Sequence, residues 1–242
     1  MDLFISMPIW WGPVVGLLMV LQFIGKDTID WRWIGGAVAA FSVYSMVVFW
    51  APPLEGIALL ENTQYNWTGK IAAIITTILM ILVLKRATGW LTNERLGLTL
   101  KQNEGSIGPA LIATGAMVAL VTTLQLLFGN NEPPSTETLL YQATIPGIDE
   151  ELLFRGLLLA LVAAALENVK HGWRWAGVAV TIIFAFGHSF FFSTDGSQFD
   201  LVALIFTGIL GALMMYIRLR TGSIALPLVA HNLTNVVNKL IV

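Results

Sequence analysis

About eight long apolar segments fill most of this chain, and they constrain its fold more than any other feature. A helix that crosses the hydrocarbon core of a bilayer needs about 20 predominantly apolar residues. Backbone in lipid must satisfy its own hydrogen bonds, and the sequence lacks the short alternating segments of a barrel, so we predict helices. The predicted spans are Pro8–Ile24, Ile34–Ala51, Ile71–Leu84, Ile107–Phe128, Ile148–Leu166, Trp173–His188, Leu201–Ile217 and Ile224–Val242.

The composition indicates a surface that faces lipid rather than water. Of the 242 residues, 56% are hydrophobic and 12% are charged, whereas soluble domains carry about 25% charged residues. No hydrophilic stretch is long enough for a second domain, so residues 1–242 are predicted to form one transmembrane domain. We expect an all-α, multi-pass protein of the cell membrane, with membrane lipid among its partners. The N-terminal segment lacks a basic start and is interpreted as the first span.

Several kinds of function are excluded by what the sequence lacks. Cysteine is absent, which removes disulfides, thiolate zinc sites and cysteine nucleophiles. The formal net charge of −2 argues against nucleic acid as a partner. Neither a His-Glu-x-x-His motif nor a nucleophile elbow occurs.

Basic residues fall mainly in alternate connections between the predicted spans. The first, third, fifth and seventh connections are therefore predicted to share the cytoplasmic side, with both termini outside. The second connection, Leu54–Lys70, is expected to be partly interfacial, and its one basic residue is Lys70, at a span edge. The basic residues of the odd connections are Lys26, Arg32, Lys85, Arg86, Arg95, Lys101, Lys170, Arg174, Arg218 and Arg220.

A proline and a glycine precede an acidic cluster at the start of the fifth span. A single helix from Ser135 to Asn168 would run about 50 Å at 1.5 Å per residue, which exceeds one crossing. Pro146-Gly147 is the natural place for a break. We therefore predict a short helix, a break, and a new helix that Asp149 caps.

The carboxylates that follow are hard to explain by capping alone. Glu151 and Arg155 are four residues apart, in the orientation that favours an ion pair on one helix face. Glu150 lies about 100° away around the helix and is predicted to lack an obvious partner. A carboxylate without a cation in an apolar site takes up a proton more readily than in water, as a general base near neutral pH requires.

Two of the three histidines lie in apolar spans. His188 ends the sixth span, and His231 lies one turn before Asn235 in the last span. His231 and Asn235 share a helix face and offer two side-chain donors to one point, which is the geometry that stabilises an oxyanion. Polar side chains also join membrane helices by hydrogen bonds, and a histidine at a helix end is often a capping residue.

This set of polar residues is compatible with two mechanisms. Glu150 could activate water directly, or Glu150, His188 and His231 could hold a zinc ion. The first is favoured, with no cofactor, because the usual zinc-protease spacing is missing and asparagine is a poor zinc ligand.

The motifs Glu150-Glu151-x-x-x-Arg155, Phe184-x-x-x-His188 and His231-x-x-x-Asn235 resemble those of the CPBP family. This family, also called Abi, contains CAAX prenyl-protein endopeptidases and bacteriocin-processing enzymes. The resemblance implies an intramembrane protease of eight helices around a polar cavity. It further implies that Glu150 activates the hydrolytic water and His188 helps to position it. His231 and Asn235 would form the oxyanion hole, with Glu151 and Arg155 as a supporting pair.

The resulting hypothesis is an intramembrane endopeptidase that cleaves a membrane-associated or prenylated, CAAX-type protein or peptide. One alternative is a catalytically silent membrane scaffold or bacteriocin-immunity factor with the same fold. A proton-coupled transporter is a further alternative, because buried glutamate and histidine also occur in transporters. The transporter hypothesis is disfavoured because the polar span residues all follow residue 148, without the matching halves of inverted repeats.

Overall fold

The computed structural model describes residues 3–25, 28–50, 63–129, 133–193 and 196–241. The helices are α1 (Leu3–Gly25), α2 (Trp31–Trp50), α3 (Trp67–Thr88), α4 (Asn93–Leu96), α5 (Ile107–Phe128), α6 (Thr136–Glu150), α7 (Leu159–Ala165), α8 (Gly172–Ser189), α9 (Leu201–Thr221) and α10 (Ala225–Leu240). A π-helical segment, Glu151–Leu158, joins α6 to α7 without a gap. We call this continuous helix, residues 136–165, the π-bearing helix. The only strands in these ranges, β1 (Phe190–Ser193) and β2 (Gly196–Phe199), form an antiparallel hairpin between α8 and α9.

Helices long and apolar enough to cross a membrane establish a multi-pass protein. Large apolar side chains on them are exposed, such as Ile112 and Val202, each 76% exposed, as a lipid-facing surface requires. The other predicted spans coincide with the π-bearing helix, α8 and α10, which carry the polar residues. The span ends predicted at Ala51 and Val242, and most of the connection Leu54–Lys70, lie outside the described ranges. The five span-length helices are Ile5–Gly25, Trp31–Phe49, Trp67–Thr88, Ile107–Phe128 and Leu201–Thr221.

The predicted break at Pro146-Gly147 is wrong, because the helix continues through both residues. The side chain of Asn232 in α10 forms hydrogen bonds with two backbone groups of this helix. Its Oδ1 accepts from the Gly147 N–H at 2.8 Å, and its Nδ2 donates to the Thr144 carbonyl at 3.2 Å. A Cβ on Gly147 would lie 2.4 Å from Asn232 Oδ1. The glycine therefore serves close packing of α10 rather than a turn.

Described parts of the odd-numbered connections meet at one end of the bundle, and their cytoplasmic location stays a prediction. The Asp30 N–H donates to the Ala165 carbonyl at 3.1 Å, which joins the first connection to the end of α7. Trp90 Nε1 donates to Glu167 Oε1 at 3.2 Å, and the Ile224 N–H donates to the Gly97 carbonyl at 3.0 Å. Basic side chains are therefore concentrated at this end, which we call the basic end.

The centre of the bundle is the π-bearing helix. Every residue from Asp149 to Leu166 is buried, including Glu151 and Arg155, whose side chains are inaccessible to solvent. Charged groups at such a position need partners inside the protein.

Candidate active site

Four polar residues predicted from the sequence line one cavity of about 360 Å³. Glu150 comes from the end of α6, His188 from the last turn of α8, and His231 and Asn235 from α10. Their side chains converge although the residues lie far apart in sequence. The cavity wall also includes apolar groups, among them Met117, Phe206, Leu210 and Met214.

Glu150 has a cation partner, so the prediction that it lacks one is wrong. Lys70 Nζ donates to Glu150 Oε1 at 3.0 Å, and both side chains are largely buried. Lys70 lies in the first turn of α3, whose apolar sequence made it look like a solvated span edge. The packing of α3 against α6 turns this lysine inward, and no local pattern in the sequence specifies that contact.

Asp149 is also not a helix cap, because the helix does not start there. Its Oδ2 accepts hydrogen bonds from Tyr44 Oη at 2.5 Å and from Lys70 Nζ at 2.6 Å. Lys70 thus bridges two neighbouring carboxylates, and Tyr44 of α2 supports the first of them. Inside a low-dielectric bundle, the negative charges of these two carboxylates need the positive charge of this lysine nearby.

His188 presents one defined ring nitrogen to Glu150. Its Nδ1 lies 2.7 Å from the Phe184 carbonyl oxygen, one turn earlier in α8. A carbonyl oxygen only accepts hydrogen bonds, so Nδ1 carries the proton and donates. His188 Nε2 faces the cavity, 3.8 Å from Glu150 Oε2, with its side chain 37% exposed.

His231 is oriented in the same way by a carboxylate. Its Nδ1 lies 2.8 Å from Glu151 Oε1, and its Nε2 lies 4.0 Å from Glu150 Oε2. Both histidines therefore direct Nε2 to the same oxygen of Glu150. Since Nδ1 donates to Glu151, Nε2 of His231 donates only when the ring is protonated. The predicted pair of donors from His231 and Asn235 thus requires the imidazolium form.

The ion pair predicted between Glu151 and Arg155 is present and fully buried. Arg155 Nη1 lies 3.1 Å from Glu151 Oε1, the oxygen that also accepts from His231. Arg155 Nη2 donates to the Gly211 carbonyl of α9 at 3.2 Å, and its guanidinium lies 4.3 Å from the Phe184 ring centre. Arg155 therefore binds α9, and Glu151 orients His231. Neither residue is among those that line the cavity.

Asn235 is half-buried and lines the cavity one turn after His231. Within the described ranges its amide makes no hydrogen bond to protein. Such an amide is free to bind a group that enters the cavity.

The spacing of these side chains and the position of Lys70 both bear on the zinc alternative. Across the described part of the chain, no three histidine or carboxylate side chains are placed to hold a metal ion. The Lys70 ammonium already binds Glu150 at 3.0 Å. A divalent cation on the same carboxylate would face this positive charge at close range.

The chain is a multi-pass membrane protein in which a buried carboxylate and two histidines face one cavity. The family model described as type II CAAX prenyl endopeptidase Rce1-like matches residues 132–237. Residues 132–237 are therefore similar to the CPBP family, and all three motifs lie within them. The Rce1-like family implies a protease. No curated protein and no solved structure matches the chain.

Proposed function

We propose that this chain is an intramembrane endopeptidase in which Glu150 activates water without a metal. One observation carries the proposal: Nε2 of His188 and Nε2 of His231 face Glu150 Oε2 at 3.8 and 4.0 Å. These separations exceed a direct hydrogen bond. Two hydrogen bonds of about 2.8 Å that meet near a right angle separate their outer atoms by about 4 Å, so one water fits between the three groups.

In this mechanism the water donates one proton toward Glu150 Oε2 and is held by a histidine Nε2. Its oxygen attacks the scissile carbonyl while Glu150 takes the proton. The carbonyl oxygen becomes an oxyanion, to which Asn235 donates a hydrogen bond. Glu150 then returns the proton to the leaving amine, and the carboxylate is regenerated beside Lys70.

The environment of Glu150 supports the metal-free form. Its Oε1 binds the Lys70 ammonium, which leaves Oε2 as the oxygen that faces the histidines. The ammonium supplies the positive charge that a metal would otherwise provide. The roles of Glu150, His188, His231 and Asn235, and an eight-helix arrangement around a polar cavity in the cell membrane, are parts of this proposal.

The substrate class is a peptide bond of a membrane-associated or prenylated, CAAX-type protein or peptide. Support comes from the family match and from the mixed wall of the cavity, where methionine, phenylalanine and leucine lie opposite the carboxylate. Apolar walls favour an apolar segment next to the scissile bond.

The decisive experiment compares Glu150→Gln with the matched variant Glu104→Gln, whose carboxylate is exposed and distant in sequence from the site. Both proteins are reconstituted in lipid nanodiscs and given a fluorogenic farnesylated peptide with a CAAX ending. Loss of a general base lowers the rate by about 10²–10⁴-fold or more. Equal cleavage by the two variants rejects the proposal. Retained cellular function in Glu150→Gln would instead favour a silent scaffold or immunity factor.

A further inference from the structure

Within the described ranges, one edge of the β-hairpin between α8 and α9 has hydrogen-bond partners and the other has none. β1 begins two residues after His188, and β2 ends just before α9, whose residues Phe206 and Leu210 line the cavity. The hairpin thus connects two walls of the candidate active site. Because of this position, backbone groups of the hairpin that lack a hydrogen-bond partner are candidates for contact with a substrate.

The register shows which backbone groups point away from the hairpin. The Asp200 N–H donates to the Ser189 carbonyl at 2.9 Å, and Phe190 pairs with Phe199. Because hydrogen-bonded and non-hydrogen-bonded pairs alternate in an antiparallel ladder, the N–H and C=O groups of Phe190 and Phe199 point outward. The same holds for Phe192 and its partner Ser197.

Side chains of α1 satisfy the outward groups of β1. Trp10 Nε1 donates to the Phe190 carbonyl at 2.7 Å, and the Phe192 N–H donates to Ser6 Oγ at 3.0 Å. On β2, the outward groups of Ser197 and Phe199 have no hydrogen-bond partner in the described ranges. Both residues are exposed, Phe199 by 55%. Among the described residues, the protein therefore closes the edge of β1 and leaves that of β2 without a partner.

We propose that the outer edge of β2, at Ser197 and Phe199, binds the substrate polypeptide as an added strand. An extended chain supplies the alternating donors and acceptors that such an edge lacks, whereas a helical substrate keeps these groups for itself. This inference rests on the proposed function and adds how the substrate is held.

The absence of cysteine from the chain permits a direct test of the added strand. Gln198 lies opposite an added strand at a non-hydrogen-bonded position, where Cα atoms approach to about 4.5 Å and a disulfide fits. The probe is the farnesylated CAAX-type peptide with one extra cysteine, mixed under oxidising conditions with protein that carries Gln198→Cys and Glu150→Gln. We expect a disulfide with the peptide at one cysteine position and at alternate neighbours. A disulfide only between two copies of the protein would overturn the proposal and indicate edge-to-edge association.

A second measurement uses a substitution that removes one outward N–H of β2 and keeps the hydrogen bonds between β1 and β2. Ser197→Pro loses the outward N–H, while Ser197→Ala keeps it and controls for the side chain. We expect kcat/KM about three- to tenfold lower for the proline variant than for the alanine variant, as loss of one hydrogen bond implies. If Ser197→Pro unfolds, a peptide with an ester in place of one amide gives the same test on unaltered protein.

The outcomes separate this inference from the proposed function. Cleavage that is equally fast in Ser197→Pro and Ser197→Ala, or with the ester and amide peptides, overturns strand addition and leaves the protease standing. Cross-linking to the peptide without any cleavage by the unaltered protein rejects the protease and leaves the binding edge.

Discussion

Lys70 Nζ lies 3.0 Å from Glu150 Oε1 and 2.6 Å from Asp149 Oδ2, so one buried ammonium serves two consecutive carboxylates. We expect Lys70→Met to leave both carboxylates uncompensated. Breaking a buried pair on one side costs about 3–5 kcal/mol. Thermal unfolding in detergent should show a clearly lower Tm, and peptide cleavage should fall strongly because Glu150 loses the partner that orients it.

A second substitution separates charge balance from orientation at this lysine. In Lys70→Met with Asp149→Asn, one negative charge is removed with the positive one, so much of the lost stability should return. Activity should remain low, since Glu150 still lacks its ammonium. A single Lys70→Met variant with unchanged Tm and unchanged cleavage would show that the lysine is dispensable.

Asn235→Ala is expected to lower kcat by about 10²–10³-fold, the usual effect of losing one oxyanion donor. The residual activity should exceed that of Glu150→Gln. The amide lines the cavity and makes no hydrogen bond within the described ranges, so stability should change little. Asn93→Ala, at the basic end, is the matched control for an exposed asparagine. Activity of Asn235→Ala equal to that of Asn93→Ala would remove Asn235 from the mechanism.

Arg155→Ala should lower the free energy of unfolding more than the same substitution at an exposed arginine. It leaves Glu151 without its cation and the Gly211 carbonyl without a donor. The free energy of unfolding should fall by about 3–5 kcal/mol, with a lower folded yield in detergent. For the exposed Arg174→Ala we expect a change within about 0.5 kcal/mol. Equal yields and equal Tm values for the two variants would contradict the structural role of the buried pair.

Metal removal distinguishes direct water activation from zinc catalysis. If Glu150 acts on water beside Lys70, cleavage should survive treatment with a chelator, and zinc should not increase it. Metal analysis of the purified protein should give well under one zinc per chain. One zinc per chain, lost together with activity in His188→Ala, would replace the metal-free mechanism and retain the protease.

Local patterns were sufficient to predict the helices and one ion pair. Apolar length alone located the segments that form α1, α2, α3, α5 and α9, because a backbone in lipid has few alternatives to a helix. The spacing of Glu151 and Arg155 was enough to predict their contact, since residues four apart meet on any helix. The motif residues Glu150, His188, His231 and Asn235 were also found as rare polar groups in apolar segments.

The tertiary structure alone decided which of these groups meet and what accompanies them. Lys70 and Glu150 are 80 positions apart, Tyr44 and Asp149 are 105 apart, and Gly147 and Asn232 are 85 apart. Tertiary packing likewise places α1 against β1, while β2 has no such partner in the described ranges. Such contacts depend on which faces of distant helices pack together. Hydropathy leaves that choice open, because many rotations of an apolar helix bury similar area, and the polar pairs then select among them.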